Sequence, residues 1–265
     1  MAQRRIGEGQ TALVTGASSG IGLELARCFA KDGYDLVLVA RSGEALDKAA
    51  ANFAGEFHVK VVPVAFDLGR PNAGAELAQT LGERALTIDV LVNNAGYGTT
   101  GPFAESDPAA QLGMIDLNVR ALVELTRLFW REILKNKRGG VLNVASTAAF
   151  QPGPFMAVYC ATKAFVLSFT EALWEEARGS GVNVSCLCPG ATESAFHKRA
   201  GTENLRLMRG GMMSAGRVAS LGYSAFQANK RVLVTGTANA LMAGSVPFMP
   251  RSLVLRISRQ VLSPR

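Results

Sequence analysis

Acidic residues run out before the chain does: after Glu203 there is no Asp or Glu. Residues 198–265 hold eleven Lys or Arg against that single acid, net +10, whereas residues 1–197 sum to −3. The basic character of this +7 chain therefore belongs to its last quarter, which points to an anionic partner or to a solvated basic face. Histidine is scarce as well, with only His58 and His197, and the four cysteines (Cys28, Cys160, Cys186, Cys188) form no C-x-x-C. That leaves no zinc constellation, and free, mostly buried thiols are expected. No apolar run approaches the roughly 18 to 20 residues of a spanning helix. Residues 1–5 (MAQRR) lead into a polar IGEGQ and not into a signal-peptide core. A cytoplasmic chain is the expectation. Charged residues make up only 18%, but hydrophobic residues reach 48%, enough to bury a sizeable core over 265 residues.

What is present alternates along the chain. Short apolar, β-branched runs at 11–15, 35–40, 59–66, 90–92, 141–144 and 182–188 are separated by helix-patterned segments at 20–32, 42–53, 73–85, 108–135 and 159–178. Such alternation predicts a parallel sheet covered on both faces. The expected fold is one α/β domain over residues 1–265, a Rossmann-like doubly wound sheet of six to seven strands, with 230–234 as the seventh.

The first strand turns into TGASSGIG, residues 15–22. Gly16, Gly20 and Gly22 permit a tight turn, so that the backbone around Ser18, Ser19 and Ile21 can approach a pyrophosphate at the start of a helix. The same glycines also suit plain turn punctuation. At the end of the second strand the run is Val39-Ala40-Arg41-Ser42, without the carboxylate that would meet ribose hydroxyls. An acid there would repel a 2′-phosphate, whereas the guanidinium of Arg41, beside Ser42, can pair with it, so NADP(H) is preferred over NAD(H). The alternative is an ordinary surface arginine. Asp67 and Leu68, after the third strand, are placed for an adenine, or Asp67 simply caps a loop. Asn93, Asn94, Ala95 and Gly96 follow the fourth strand at the sheet edge where ligands of such folds sit.

The segment YCATK sets Tyr159 and Lys163 four residues apart, neighbours on one helix face. A tyrosine with its ordinary pKa of about 10 is a poor base, but a nearby ammonium and an oxidised nicotinamide favour the phenolate. Ser146 lies thirteen residues upstream and Asn118 sits in the long 108–135 helix.

Taken in order, TGASSGIG, NNAG, Asn118, Ser146 and Tyr159-x-x-x-Lys163 resemble the classical short-chain dehydrogenase/reductase family, over about residues 8–197. The tail resembles a bacterial subgroup of uncharacterised oxidoreductases. The resemblance implies that Tyr159 is the acid/base and that Lys163 lowers its pKa and holds the nicotinamide ribose. It implies that Ser146 hydrogen-bonds the substrate carbonyl oxygen and that Asn118 supports a water relay. Pro189, Gly190 and Thr192 in CPGAT would meet the nicotinamide amide and the phosphates. The implied activity is hydride transfer between NADP(H) and a hydroxyl/carbonyl carbon of an apolar or amphipathic small molecule, chiefly ketone or aldehyde reduction. The rival is a non-catalytic NADP(H)-sensing module with a membrane- or partner-binding tail.

Residues 194–214 stand where the family keeps its substrate lid. There Met208, Met212 and Met213 suit either a hydrophobic pocket or lid packing, His197 has no visible partner, and Ser214 caps a helix over 215–228. Cys160, next to Tyr159, is expected on another helix face. The basic extension 241–265 is amphipathic: Leu253, Val254, Ile257 and Val261 share one side of a helix, and Arg251, Arg256 and Arg259 another. It can dock on its own domain, pair with a second subunit, or lie on an anionic membrane. A homodimer is the expected assembly. Nucleic acid is not an expected partner, since no aromatics interleave with the arginines.

Overall fold

The computed structural model describes residues 5–206 and 211–263. Residues 1–4 of the MAQRR leader, Met208 of the lid and residues 264–265 of the extension lie outside the described residues. Seven parallel strands form one sheet in the order β3-β2-β1-β4-β5-β6-β9. They are β1 (Thr11–Thr15), β2 (Asp35–Ala40), β3 (Val61–Ala65), β4 (Val90–Asn93), β5 (Gly140–Val144), β6 (Asn183–Cys188) and β9 (Val232–Val234). A two-residue pair, β7 (Thr192–Glu193) with β8 (Met213–Ser214), brackets the segment that holds α7 (Ala195–Ala200).

Period-two alternation sorts each strand between two buried faces. Ala12 and Val14 of β1 face one core with Leu36 and Leu38 of β2, while Leu13, Val37 and Val39 face the other. On the first face pack α1 (Gly20–Lys31), α2 (Gly43–Phe57) and α8 (Ala215–Gln227); on the second, α3 (Ala73–Glu83), α5 (Ala121–Asn136) and α6 (Ala157–Glu176). Phe29 of α1 is wholly buried and meets the ring edges of Tyr34 and Tyr223 at 5.1 and 4.8 Å. The order reverses between β1 and β4, so their carboxyl ends flank the crevice that binds ligands in such sheets.

Two predicted elements change. The third strand is shorter than 59–66 because it is an edge strand carrying Pro63, which cannot donate to a ladder. The helix expected over 108–135 is not continuous. It divides into α4 (Pro108–Ile115), a π-helical turn at Asp116–Arg120, and α5. Asn118 on that wide turn is buried, its amide donating to the Tyr97 carbonyl (2.9 Å) and to Thr162 Oγ1 (3.1 Å) while its Oδ1 accepts from the Tyr97 N–H (3.1 Å). Those three bonds fix the side chain between Tyr97 and Thr162, at the kind of π-turn that often marks a functional position.

After β9 the chain forms α9 (Thr237–Ser245) and α10 (Arg251–Val261), and it folds back over its own domain. Val254, Ser258 and Leu262 are buried, and Leu262 joins Met114, Met156, Tyr159 and Cys160 in one apolar cluster. Among the described residues, no helix is long and apolar enough to cross a membrane.

Candidate active site

A cleft of about 1260 Å³ runs along the carboxyl edge of the sheet. Every cofactor-binding residue expected from sequence borders it, from Gly16 and Ser18 through Arg41, Asp67 and Asn94 to Thr192. So do Ser146, Tyr159 and Lys163, while Asn118 lies behind the lining.

At one end the glycine turn leads into α1. Gly16 and Gly20 have φ of +66° and +59°, a region that side chains disfavour. A Cβ on Gly22 would overlap both the Asn94 amide and the Gly16 carbonyl. Asn94 in turn ties the turn to the sheet, its amide donating to the Thr15 carbonyl (2.8 Å) while its N–H meets Thr15 Oγ1 (2.9 Å). Ser19, the N-cap of α1, makes no side-chain capping bond, and the first turn carries no acid. The leading N–H groups and the positive end of the helix therefore face the cleft free to meet an anion. Arg41 borders the same end and forms no ion pair among the described residues. This cradle fits a dinucleotide: its first part suits a pyrophosphate, and Arg41 supplies an unneutralised guanidinium. Asp67 lines the cleft but uses Oδ1 to accept from the Gly69 N–H (2.9 Å), closing its own turn.

Asn93 turns away from the cleft. It is buried and donates to Thr126 Oγ1 (3.0 Å) and Asn143 Oδ1 (2.9 Å), and Asn143 donates on to Thr170 Oγ1 (2.9 Å). This polar chain joins β4 and β5 to α5 and α6 with every member satisfied. Of the two amides in NNAG, only Asn94 lines the cleft, because adjacent strand residues face opposite sides.

Tyr159 and Lys163 sit on α6 at the cleft floor, 7% and 6% exposed. Burial pushes the Tyr159 phenol up to about 12, opposed by a hydrogen bond from the Ser146 hydroxyl, with Cys160 raising it slightly further. Burial also lowers Lys163 to about 8. Its Nζ donates to the Val144 carbonyl (2.8 Å) and lies 5.9 Å from the Tyr159 ring centre. Lys163, expected to lower the pKa of Tyr159, does not do so in this arrangement: desolvation outweighs the Ser146 hydrogen bond and raises it. Ser146 accepts from the Ala148 N–H (3.1 Å), which fixes its hydroxyl beside the tyrosine. Together they form a donor pair for an oxygen atom at the cleft floor.

Three expectations need correction. His197 has partners: Nδ1 pairs with Thr202 Oγ1 (2.9 Å), and Nε2 receives the Thr192 N–H at 3.4 Å. Its pKa is lowered by burial. Cys160 borders the same cleft as Tyr159, because α6 meets the cleft broadly enough for both faces to reach it. The basic helix is not split simply into an apolar and a charged side: Val254 is buried, but Leu253 and Ile257 are 39% and 40% exposed.

Sequence reasoning also missed lining residues. Thr235, Gly236 and Asn239 follow β9 and border the cofactor end, and a Cβ on Gly190 would overlap the Asn239 amide. The sign was available, since VTGTAN after a strand repeats the strand-to-glycine turn of β1. Phe196 was missed too; its ring lies 5.5 Å from that of Tyr159. Apolar residues of α10 and of the turn before it, among them Val254, Val261 and Met249, wall the opposite end.

The family model described as short chain dehydrogenase matches residues 10–205. A ketoacyl reductase of Nostoc is 36% identical over 184 residues, covering 69% of this chain and 63% of that protein. A very-long-chain 3-oxoacyl-CoA reductase of Phaeosphaeria nodorum is 33% identical over 72% of this chain and 57% of its own length. The chain thus spans less than two thirds of either relative. A short-chain dehydrogenase from Sphingobium yanoikuyae, solved with NADPH, superposes with a TM-score of 0.81 at 33% identity, covering 92% of this chain and 94% of that one. Likeness of sequence and likeness of fold thus agree, and the chain belongs to the short-chain dehydrogenase family of oxidoreductases.

Proposed function

We propose that the chain is an NADP(H)-dependent reductase of ketones or aldehydes carried by apolar or amphipathic small molecules. The observation that carries this reading is the buried Tyr159 beside Ser146, on the floor of a cleft whose lining includes both a polar cofactor cradle and an apolar wall. A bound nicotinamide supplies the hydride. Tyr159 donates its proton to the carbonyl oxygen as charge develops there, and Ser146 donates a hydrogen bond to the same oxygen. Lys163 holds the nicotinamide ribose and restores the phenol's proton through water, with Asn118 positioning the backbone around Tyr97. Residues 194–214 act as the lid. The adenosine end is held at Arg41, Ser42, Asp67 and Leu68, and Arg41 selects the 2′-phosphate.

NADPH in the Sphingobium complex and the reductase names of two relatives support the cofactor and the direction. The intact acid/base set leaves no observation in favour of a non-catalytic sensor. The protein is read as cytoplasmic, with peripheral contact of its basic extension to an anionic membrane. A homodimer through the exposed Leu112, Ile115, Leu128 and Phe165 of α4, α5 and α6 is its assembly.

The test is calorimetric titration with NADPH and NADH, beside Arg41→Ala. NADPH is expected to bind at least about tenfold tighter, about 1.4 kcal/mol, with the margin lost in the variant. Equal affinities in the wild type would retract the NADP(H) preference, and a carbonyl panel without NADPH consumption would retract the reductase.

A further inference from the structure

We propose that the wall formed by α9 and α10 is a membrane-facing gate, which seats on an anionic bilayer and admits apolar carbonyl substrate from the lipid directly into the cleft. This rests on the reductase reading and assigns its substrate's route of entry.

The lip of the cleft is the first observation. Met212, Met242 and Ile257 each line the cleft and yet are 46%, 45% and 40% exposed. Such a rim meets water at a cost that a bilayer removes. Next to it stand side chains that project outward without lining the cleft: Leu241, beside Met242, is 76% exposed, and Phe248 is 88% exposed. Leu253, one turn before Ile257, is 39% exposed. Of the thirteen large hydrophobic side chains exposed among the described residues, six fall between 241 and 257. Scattered exposed apolar groups are ordinary, whereas a set concentrated in one segment that borders the cleft marks an interaction surface.

Charge selects the occupant. Arg251, Arg256 and Arg259 are exposed on α10, and none forms an ion pair among the described residues. No acid follows Glu203 in the sequence, so this segment has no carboxylate of its own to neutralise them. A second copy of the chain would bring the same uncompensated arginines to the same patch and repel it. Anionic lipid headgroups complement them, while Phe248 and Leu241 enter the acyl boundary. A ketone dissolved in the bilayer then passes the Met212–Met242–Ile257 lip without crossing water, and reaches Met249, Val254 and Val261 on the way to Tyr159.

The experiment compares wild type with the double variant Leu241→Ser/Phe248→Ser, whose sites lie outside the cleft lining. Each is sedimented with vesicles of phosphatidylcholine, with and without phosphatidylglycerol. Each is then assayed by NADPH consumption on a short water-soluble methyl ketone and on a long-chain methyl ketone dissolved in the vesicles. Wild type is expected to sediment with the anionic vesicles only, and the variant to partition more than about tenfold less. The variant should match wild type on the soluble ketone and fall about tenfold on the vesicle-borne one. The proposal is overturned if wild type ignores anionic vesicles, or if the variant keeps its rate on the vesicle-borne ketone. A wild-type dimer in sedimentation velocity that the variant turns monomeric would also overturn it, by giving the patch to a second copy. Turnover of neither ketone by wild type sinks the reductase reading and the gate with it, even where vesicle binding persists.

Discussion

The cofactor end of the cleft is built from backbone and short polar side chains at the carboxyl ends of β1, β2, β4 and β6, whereas the other end is built from methionine, valine, isoleucine and leucine side chains of residues 212–262. The first end tolerates almost no added atoms: Gly16 would place a Cβ 2.7 Å from the Asn94 amide, and Gly22 has less room still. The second end is lined by flexible or aliphatic groups, and most of it lies beyond residue 205, where the family match stops. The contrast teaches where each kind of constraint resides. A fixed ligand is recognised by backbone donors that glycine alone allows to approach, while a particular substrate is selected by side-chain volume, which can change without disturbing the sheet.

Tyr159 stands at the junction, and its removal tests whether chemistry separates from cofactor binding. Tyr159→Phe should lower kcat by about 10³-fold, in the upper range for a lost proton donor, while NADPH affinity in titration stays within about twofold. Full turnover in that variant would remove the phenol from the mechanism. Gly22→Val attacks the cofactor end alone. The overlap with Asn94 and the Gly16 carbonyl should weaken NADPH binding by about 100-fold, roughly 2.7 kcal/mol, and lower Tm as well. Unchanged affinity would show that the glycine turn is not the pyrophosphate cradle.

Val261→Phe fills the opposite end. The KM for bulky ketones should rise about tenfold with NADPH affinity unmoved, and a parallel loss of cofactor binding would break the division into two ends. The smallest effect expected is on stability at Lys163, whose folded pKa is lowered from 10.5 to about 8 by burial. Below pH 8 the ammonium is charged in both folded and unfolded chains, and the cost of burying it is fully present. Between about 8 and 10.5 the unfolded chain holds a proton that the folded chain has released, so this residue's contribution to stability rises with pH. Lys163→Met should therefore be inactive yet more stable at pH 7 by about 1 kcal/mol, a gain that shrinks toward pH 10. Chemical denaturation at the two pH values measures it, and a less stable variant at pH 7 would mean that the Val144 hydrogen bond outweighs desolvation.

Much of the cofactor end was legible because its information is local. Alternating apolar residues place Leu13 and Val14 on opposite faces, the glycines of TGASSGIG mark a turn between strand and helix, and a spacing of four sets Tyr159 over Lys163. The order of these pieces was enough for the family and for a parallel sheet of six to seven strands. Asn93 and Asn94 show where that legibility thins: both looked like cleft residues, but the pleat sends one into the polar chain with Asn143.

The amino-acid sequence by itself determined the strands, the glycine turn, the juxtaposition of Tyr159 and Lys163 and a basic C-terminal quarter, since short-range periodicity and spacing encode each of them. Only the tertiary structure decided that 237–262 folds back to line the cleft, that Asn118 lies on a π-turn, and that burial raises the Tyr159 phenol. Each of those depends on groups far apart in the chain being brought together, Leu262 against Cys160 or Asn118 against Thr162. Packing and desolvation act through space, and no local period records them.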